Sequence, residues 1–391
     1  MKQEIKIKGY DTFQCIADQC PLTCCQEWKI GVDEKTFQGW EGLKLKTQTI
    51  KDKQLTLCDC VEHIEGSYHI QLNKDKKCPF LSQNKLCHIV MDIGEDYLSE
   101  TCTTFPRQVT SFEDRIERGL DPGCPVVIDL LNQVSDVIEV GVKEINTNEI
   151  SEQSRDLLYS VREMIFTLLK DKTYLFTERL MMIFYILLEL LEEEELTDTK
   201  IKACISEKQL KPLVRAIRKM KFNTLDSFFE RNELFLDVVE NYRKQKLYVQ
   251  YLEEIATLAE KLEQVYSEEE LLEKVQVFKE QFASYEELLK NYLMVEVFSN
   301  CLLPEGTLED TVASFEWIVL EYSVLQQAIF LKWLQQGEKT ITYDMMKSYM
   351  NVISRVTGYD QSDIKEYLQN SFESMIWEWG YLALVVGNSK I

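Results

Sequence analysis

From about residue 150 onward, apolar side chains recur at helical spacing in nearly every window. The pattern predicts helices over 151–170, 174–195, 206–220, 224–242, 246–264, 267–281, 284–300, 308–336, 341–356 and 361–385, with little competing strand signal. The longest apolar run, Leu180–Leu188, is interrupted by Glu189 and followed by Glu192–Glu195. It falls well short of the roughly 20 residues needed to cross a bilayer, so it reads as a buried helix with a solvated end. The tail with Trp377, Trp379 and Tyr381 reads as an aromatic helix packed on the core. No solenoid-type repeat stands out.

Residues 1–135 have another texture, compact and irregular. Ile5–Tyr10 alternates apolar and polar residues like a short strand. Asp33 is placed to cap a helix over 34–40. Gln54–Leu57 and Ser67–Leu72 alternate as half-buried strands do, with a turn at His63–Ser67 between them. Gly94–Leu98 is a break, and Ser99 starts a helix or turn. Pro106 forces an extended residue before it. Val109–Leu120 reads as a hairpin, Asp121-Pro122-Gly123 as a sharp turn, and Pro125 as the first residue of a helix running to Gln133. The expected fold is mainly α, with an N-terminal cysteine-rich α+β region (1–135) that binds a metal or cluster, followed by a large all-helical region (150–391).

Composition narrows the function. Only 14 Gly and 7 Pro in 391 residues leave few turns and favour long helices. A net charge of −22 argues against nucleic-acid binding, because a phosphate backbone would be repelled. It suits a cationic or lysine-bearing partner, and equally a solvated acidic surface. The opening MKQEIKIKGY lacks the apolar run of a secretion signal, and no stretch is long enough for a membrane span, so the expected location is the cytoplasm.

Cysteine is the exception to an ordinary composition. Ten of the 12 cysteines precede residue 125, and four (Cys15, Cys20, Cys24, Cys25) fall within eleven residues. A reducing cytoplasm disfavours structural disulfides, which shifts the weight to metal or cluster ligation. Thiolates suit zinc and iron–sulfur clusters. Cys20, Cys24 and Cys25 would form a close set. Cys78, Cys87, Cys102 and Cys124 would be its distant partners, each beside a Pro or a turn. No pair of CxxC motifs forms a zinc ribbon. The CxxxCxxC motif of radical enzymes fails because its third position is Glu27. With three histidines in the chain, the ligands should be mostly thiolate. Cys58 and Cys60, spaced C-x-C, are extra ligands, ordinary thiols or a redox pair.

The motifs FxCxxxxCPxTCCxxWxIxVD, CPFLxxxxLCxI, GExxLSxTCxxFPR and a final CP occur in that order. Together they resemble the flagellin lysine N-methylase family, part of a broader group with a cysteine-rich domain that chelates zinc or iron. The residues carrying the resemblance are Cys20, Pro21, Cys24, Cys25, Trp28, Asp33, Cys78, Pro79, Leu81, Cys87, Gly94, Glu95, Cys102, Pro106, Arg107 and Cys124. Thr177-Glu178-Arg179-Leu180 is similar to the family's E-R-L helix, and Asn291-Tyr292-Leu293, followed by Pro304, to its N-Y-L segment. The helical half alone would not suggest the family. The resemblance implies S-adenosylmethionine as methyl donor, a lysine acceptor on flagellin or another protein, and a cysteine-held [4Fe–4S] cluster with zinc as the alternative. It does not single out four ligands among the candidate metal-binding cysteines.

No Gly-rich strand–turn–helix of the usual methyltransferase type is present, so neither the donor site nor a catalytic base can be read from the chain. The chemistry is expected where the cysteine-rich region meets the helices. A non-enzymatic, metal-stapled interaction scaffold is the competing reading, and a redox or metal-handling protein is the third.

Overall fold

In the computed structural model, residues 3–46, 56–64, 66–141, 155–358, 360–372 and 379–387 are described. The N-terminal third holds two small sheets. Strands β1 (Gln3–Ile7), β5 (Arg107–Ser111), β6 (Arg115–Leu120) and β7 (Ile138–Gly141) form one sheet, in the order β5-β6-β1-β7. β1 runs parallel to β6, with Ile5 opposite Glu117, and antiparallel to β7, with Ile7 opposite Ile138. Strands β2 (Gly31–Val32), β3 (Val61–Ile64) and β4 (Ser67–Ile70) form the second, antiparallel sheet in the order β2-β4-β3.

Short helices punctuate this region: α1 (Glu34–Gly39), α2 (His88–Asp92), α3 (Glu100–Thr104) and α4 (Pro125–Leu131). Three of them begin where the sequence offers a cap or a first-turn Pro. The Asp33 carboxylate accepts the Thr36 amide at 2.9 Å, Ser99 Oγ accepts the Cys102 amide at 3.2 Å, and Pro125 occupies the first turn of α4. The expected hairpin near 109–120 is β5–β6, joined in register from Arg107–Leu120 to Ser111–Ile116. Phe105 is extended before Pro106, and the peptide between them is cis.

The other expected hairpin forms differently. Ser67–Ile70 pairs with Val61–Ile64, so part of the expected turn is strand, and Gly66 at φ +84° makes the reversal. Of Gln54–Leu57, residues 54 and 55 lie outside the described residues, and Thr56 makes only an isolated bridge to Lys44.

The helical part follows the apolar periodicity closely. α5 (Arg155–Lys170), α6 (Phe176–Leu191), α8 (Glu207–Lys219) and α9 (Thr224–Lys244) lie within a few residues of the expected spans, with the short α7 (Asp198–Cys204) inserted before α8. The span 246–264 divides into α10 (Val249–Ala259) and α11 (Leu262–Val265). Then come α12 (Glu268–Phe282), α13 (Glu286–Asn300), α14 (Leu308–Gln335), α15 (Tyr343–Thr357), α16 (Gln361–Phe372) and α17 (Trp379–Val386). Trp377 lies outside the described residues, while Tyr381 is buried and the Trp379 indole donates to the Met181 carbonyl at 2.7 Å.

α14 is the axis of the fold. Its 28 residues carry apolar side chains on every face and are buried along nearly the whole length, with Glu316, Glu321, Gln326 and Gln327 among the buried ones. α6, α9, α10, α13, α15, α16 and α17 pack against it. Two hydrophobic cores result. The larger runs through the helices and takes in Ile5, Ile7, Leu22, Leu120, Val127 and Ile128, so the four-stranded sheet and α4 belong to it. The smaller is built from Ile30, Val32, Trp40, Leu45, Leu57, Cys60, Ile70, Cys78, Phe80 and Ile89 around the second sheet.

Candidate functional site

The cysteine segment is threaded between these cores. The Cys78 amide donates to the Cys25 carbonyl at 2.8 Å, and Gln26 bridges Lys77, which places the two stretches side by side. A bridge between Leu81 and Cys87 then folds the Cys78–Cys87 loop back on itself. Cys87 and Cys124 are the N-caps of α2 and α4, and Cys102 lies in α3. Backbone amides at 89 and 90 point at the Cys87 sulfur, and those at 126 and 127 at the Cys124 sulfur. Such donors favour the thiolate form.

Seven expected ligands form one electrostatic network centred on Cys24. The Cys24 thiol is hydrogen-bonded with Cys25 and influences Cys20, Cys87, Cys102 and Cys124. Cys78 joins through Cys87 and Cys102, with Cys60 beside it, and Cys15 adjoins Cys20. The other cysteines lie elsewhere. Cys58 faces the Phe37 carbonyl at 3.5 Å among Glu41 and Asp59, Cys204 sits near Glu189 and Glu193, and Cys301 is buried near Arg162. All 12 cysteines are free of disulfides.

The hydrogen bond with Cys25, followed by burial, raises the Cys24 thiol far above its ordinary value. Burial is the leading cause at the others: Cys124 is pushed up to about 12 and Cys102 to about 11, with Cys20, Cys78 and Cys87 also raised. Cys102 belongs to an exposed residue, yet its sulfur is crowded by its neighbours. Burial also raises Cys58, and Cys60 to about 11, so the C-x-C pair is not a ready thiolate couple.

Among the described residues, no three His, Cys, Asp or Glu side chains converge tightly enough to grip a metal ion in this conformation. The donor set nevertheless fits a thiophilic iron or zinc centre by its chemistry. It is a gathered set of thiols, several of them raised by burial, and a bound cation would supply the charge that stabilises them as thiolates. Rotation of side chains already gathered around Cys24 would have to complete the ligation.

One residue joins this thiol set to the helices. Arg355 on α15 donates to the carbonyls of Leu22 at 3.0 Å, Thr23 at 3.1 Å and Gly123 at 2.8 Å, and its guanidinium lies 5.2 Å from the centre of the Trp28 ring. Its charge favours ionisation of Cys20 and Cys24 against the burial that opposes it. Trp28 in turn donates to the Cys24 carbonyl and meets Phe105 edge-on at 4.7 Å. Glu27 has φ +64° and accepts the Tyr248 amide at 3.0 Å, a second tie between the regions. Nothing in the sequence marks Arg355, which is one charge on an amphipathic helix.

Beyond Arg355 lies a partly open cavity of about 190 Å³, lined by Gln108 and Asp121 from the sheet side and by Glu296, Ser299, Glu321 and Ser354 among the helical residues. Glu296 and Glu321 are more than nine-tenths buried. The Glu321 carboxylate accepts the Tyr292 hydroxyl, and the Thr357 hydroxyl at 2.5 Å. Glu296 accepts Asn300 Nδ2 at 2.7 Å and lies 3.5 Å from Ser354 Oγ. Burial raises both acids, Glu321 to about 7, and Tyr292 is held well above its usual value by burial and then by the Glu321 charge. The segments that carried the family resemblance support this place. Asn291 Nδ2 donates to the Leu131 and Val134 carbonyls at 2.8 and 2.7 Å, fixing α13 against α4, while Tyr292 reaches Glu321. Glu178, from the E-R-L stretch, is structural: it closes the N-terminus of α6 and pairs with Arg218 at 2.7 Å.

A mostly helical protein with a thiol-rich seam and buried acids behind it is the class these features define. Comparison with known proteins places it more narrowly. Residues 162–385, more than half of the chain, match the family described as the FliB lysine N-methylase C-terminal domain, and the chain belongs to that family. It is 27% identical over 133 residues to the flagellar biosynthetic protein FliU of Salmonella muenchen, covering 34% of this chain and 78% of that one. It is also 27% identical over 134 residues to a lysine-N-methylase of Salmonella typhimurium, and 26% over 134 residues to one of Salmonella choleraesuis. Those matches span 34% of this chain and 33% of each relative, about a third of the length of the lysine-N-methylases. No solved structure matches.

Proposed function

We propose that the chain is a protein-lysine N-methyltransferase that takes its methyl group from S-adenosylmethionine, acts on flagellin lysines and carries a cysteine-ligated [4Fe–4S] cluster. The observation that carries this reading is the gathering of the motif thiols around Cys24 beside Arg355, a residue of the helical part that matches a lysine N-methylase family. The flagellar name of the FliU relative supports flagellin as acceptor. In this reading residues 1–135 are the cluster-binding region and 150–391 the helical domain, and the protein works in the cytoplasm.

The ligands would come from Cys20, Cys24, Cys25, Cys78, Cys87, Cys102 and Cys124. The cluster supplies a thiolate-bound centre that staples the small core to the large one. The donor supplies an electrophilic methyl group, and the chain must present a neutral amine to it. With an ordinary pKa near 10.4, deprotonating lysine at pH 7 costs about 4–5 kcal/mol. Burial of the amine and a nearby proton acceptor lower that cost.

The test is mass spectrometry of flagellin after incubation with the oxygen-free protein and S-adenosylmethionine. Addition of 14 Da steps on lysine is expected, and unmodified lysines with intact metal would sink the reading. Iron and sulfide in equal amounts are expected in protein purified without oxygen. The small core with its own sheet also suits a zinc-stapled, non-enzymatic platform. A colourless zinc protein that leaves flagellin unmodified would favour that alternative.

A further inference from the structure

We infer that the cavity between the β6–α4 turn and helices α13, α14 and α15 is a receptor for a primary ammonium group, with the Glu296 and Glu321 carboxyls as its acidic walls and Glu321 as the proton acceptor. For the identity of the amine, a substrate lysine side chain, this rests on the methyltransferase reading. The cavity's preference for a cation does not.

Four observations converge. First, the cavity lining contains Asp121, Glu296 and Glu321 but no Lys, Arg or His. Second, among the described residues the side chains that donate to Glu296 and Glu321 are neutral: Asn300 and Ser354 for one, Tyr292 and Thr357 for the other. Buried carboxylates without a cationic partner are costly, and a bound cation would offset that cost. Third, Gln108 Oε1 and Ser299 Oγ, both from residues lining the same space, are shielded from solvent and lack a hydrogen-bond partner. An ammonium has three donors and no acceptor, so it complements a surface with surplus oxygens. Fourth, about 190 Å³ is below the roughly 300 Å³ at which pockets for drug-sized ligands begin, so the space suits the end of one side chain and not a whole nucleoside.

The proton balance is simple. The ammonium gives one proton to Glu321, and the freed lone pair on Nζ forms the bond to the donor's methyl carbon. The carbon–sulfur bond breaks with its electrons left on sulfur, so the sulfonium departs as a neutral thioether. Glu321 is suited to hold that proton because the Tyr292 and Thr357 hydroxyls fix its two oxygens.

The experiment uses the full chain with its metal, the variants Glu296→Gln and Glu321→Gln, and the control Glu316→Gln. Glu316 is a buried acid on the same helix as Glu321 that does not line the cavity and lies near Tyr381. The probe is n-butylammonium, with 1-pentanol as a neutral counterpart, read by calorimetry and by thermal midpoint. Wild type and Glu316→Gln are expected to bind n-butylammonium and not 1-pentanol, and the two cavity variants at least five-fold more weakly. Equal binding in all four proteins, equal response to the alcohol, or no binding by wild type would overturn the inference. Flagellin methylation is scored separately. Wild type that binds the probe but modifies no lysine refutes the methyltransferase reading and leaves the receptor standing. Wild-type rates in both cavity variants refute the receptor and leave the methyltransferase.

Discussion

Arg355 holds three carbonyls of the cysteine-rich part from a helix of the other part, with Trp28 stacked on its face. The fork geometry matters more than the charge, because lysine cannot serve three separated acceptors in one plane. Arg355→Lys should therefore lose most of what Arg355→Ala loses, about 2–4 kcal/mol from charge-assisted bonds, together with part of the bound metal. Chemical denaturation and metal analysis check this, and a Lys variant as stable and as metal-rich as wild type would contradict it. Glu321 gives a second outcome at this scale. Burial lifts its carboxyl from 4.5 to about 7, so the folded state keeps a proton that the unfolded chain has released. Stability should then be highest below pH 4.5 with respect to this group, fall as pH rises towards 7, and level off above it. Glu296, Asp121 and Tyr292 are shifted upward beside it, so the two glutamates add in the same direction. Glu321→Gln should flatten the fall in thermal midpoint between pH 5 and 8, and an unchanged slope would show that the acid is not dry. These acids were readable in principle. Glu296 interrupts the local apolar run Tyr292–Phe298 and Glu321 the run Trp317–Tyr322, which signals a buried carboxylate rather than a solvated face. Arg355 carries no comparable signal.

At the scale of elements, β6 shows how closely the sheet and α13 approach. A Cβ on Gly119 would come within 2.7 Å of Ser299 Oγ and 3.2 Å of Gln108 Oε1, the two oxygens left without partners at the cavity. Gly119→Ala should cost about 1–3 kcal/mol by overpacking and should weaken n-butylammonium binding, whereas Gly39→Ala, with open space around it, should leave binding unchanged. Denaturation and the calorimetric titration decide it. Helix α14 was legible almost to the residue, 308–336 against Leu308–Gln335, because its apolar spacing marks it, and the structure adds a Thr307–Asp310 capping box at its start. The β5–β6 hairpin was legible for the same local reasons. β7 was not, because its four residues gain a partner only through pairing with β1, more than 130 residues earlier. β6 defeats simple alternation: the charged Arg115 and Glu117 point inward, where Arg162 clamps Glu117 with two bonds of 2.6 Å. The apolar-in rule reads such a strand backwards.

The whole molecule is a large core with a small one beside it. Ten buried side chains are few for an independent fold, and units of that size commonly need a metal or another staple. Stripping the metal should therefore raise amide exchange across residues 20–105 while leaving α13, α14 and α15 protected. Equal protection with and without metal would remove the stapling role. The cysteine motifs, residues 13–125, suggested the family from sequence, yet the family match falls on 162–385, the half whose periodic helices looked generic. Helical periodicity reports burial, not identity, so that half conveyed its fold and concealed its kinship. The thiols were legible as a set that left out Cys204 and Cys301, but only the fold set Cys58 apart from the Cys24 network. Arg355 has one further consequence. It grips the loop carrying Thr23 and the turn carrying Gly123, and its charge is felt by both Cys24 and Asp121. Through this residue, whatever tightens one grip can bias what fills the space beside the other, and any such linkage runs both ways. If metal loading strengthens amine binding by some factor, the amine must strengthen metal retention by that same factor. The chain would then read its own maturation state, with an unmetallated copy a poor receptor before any chemistry begins.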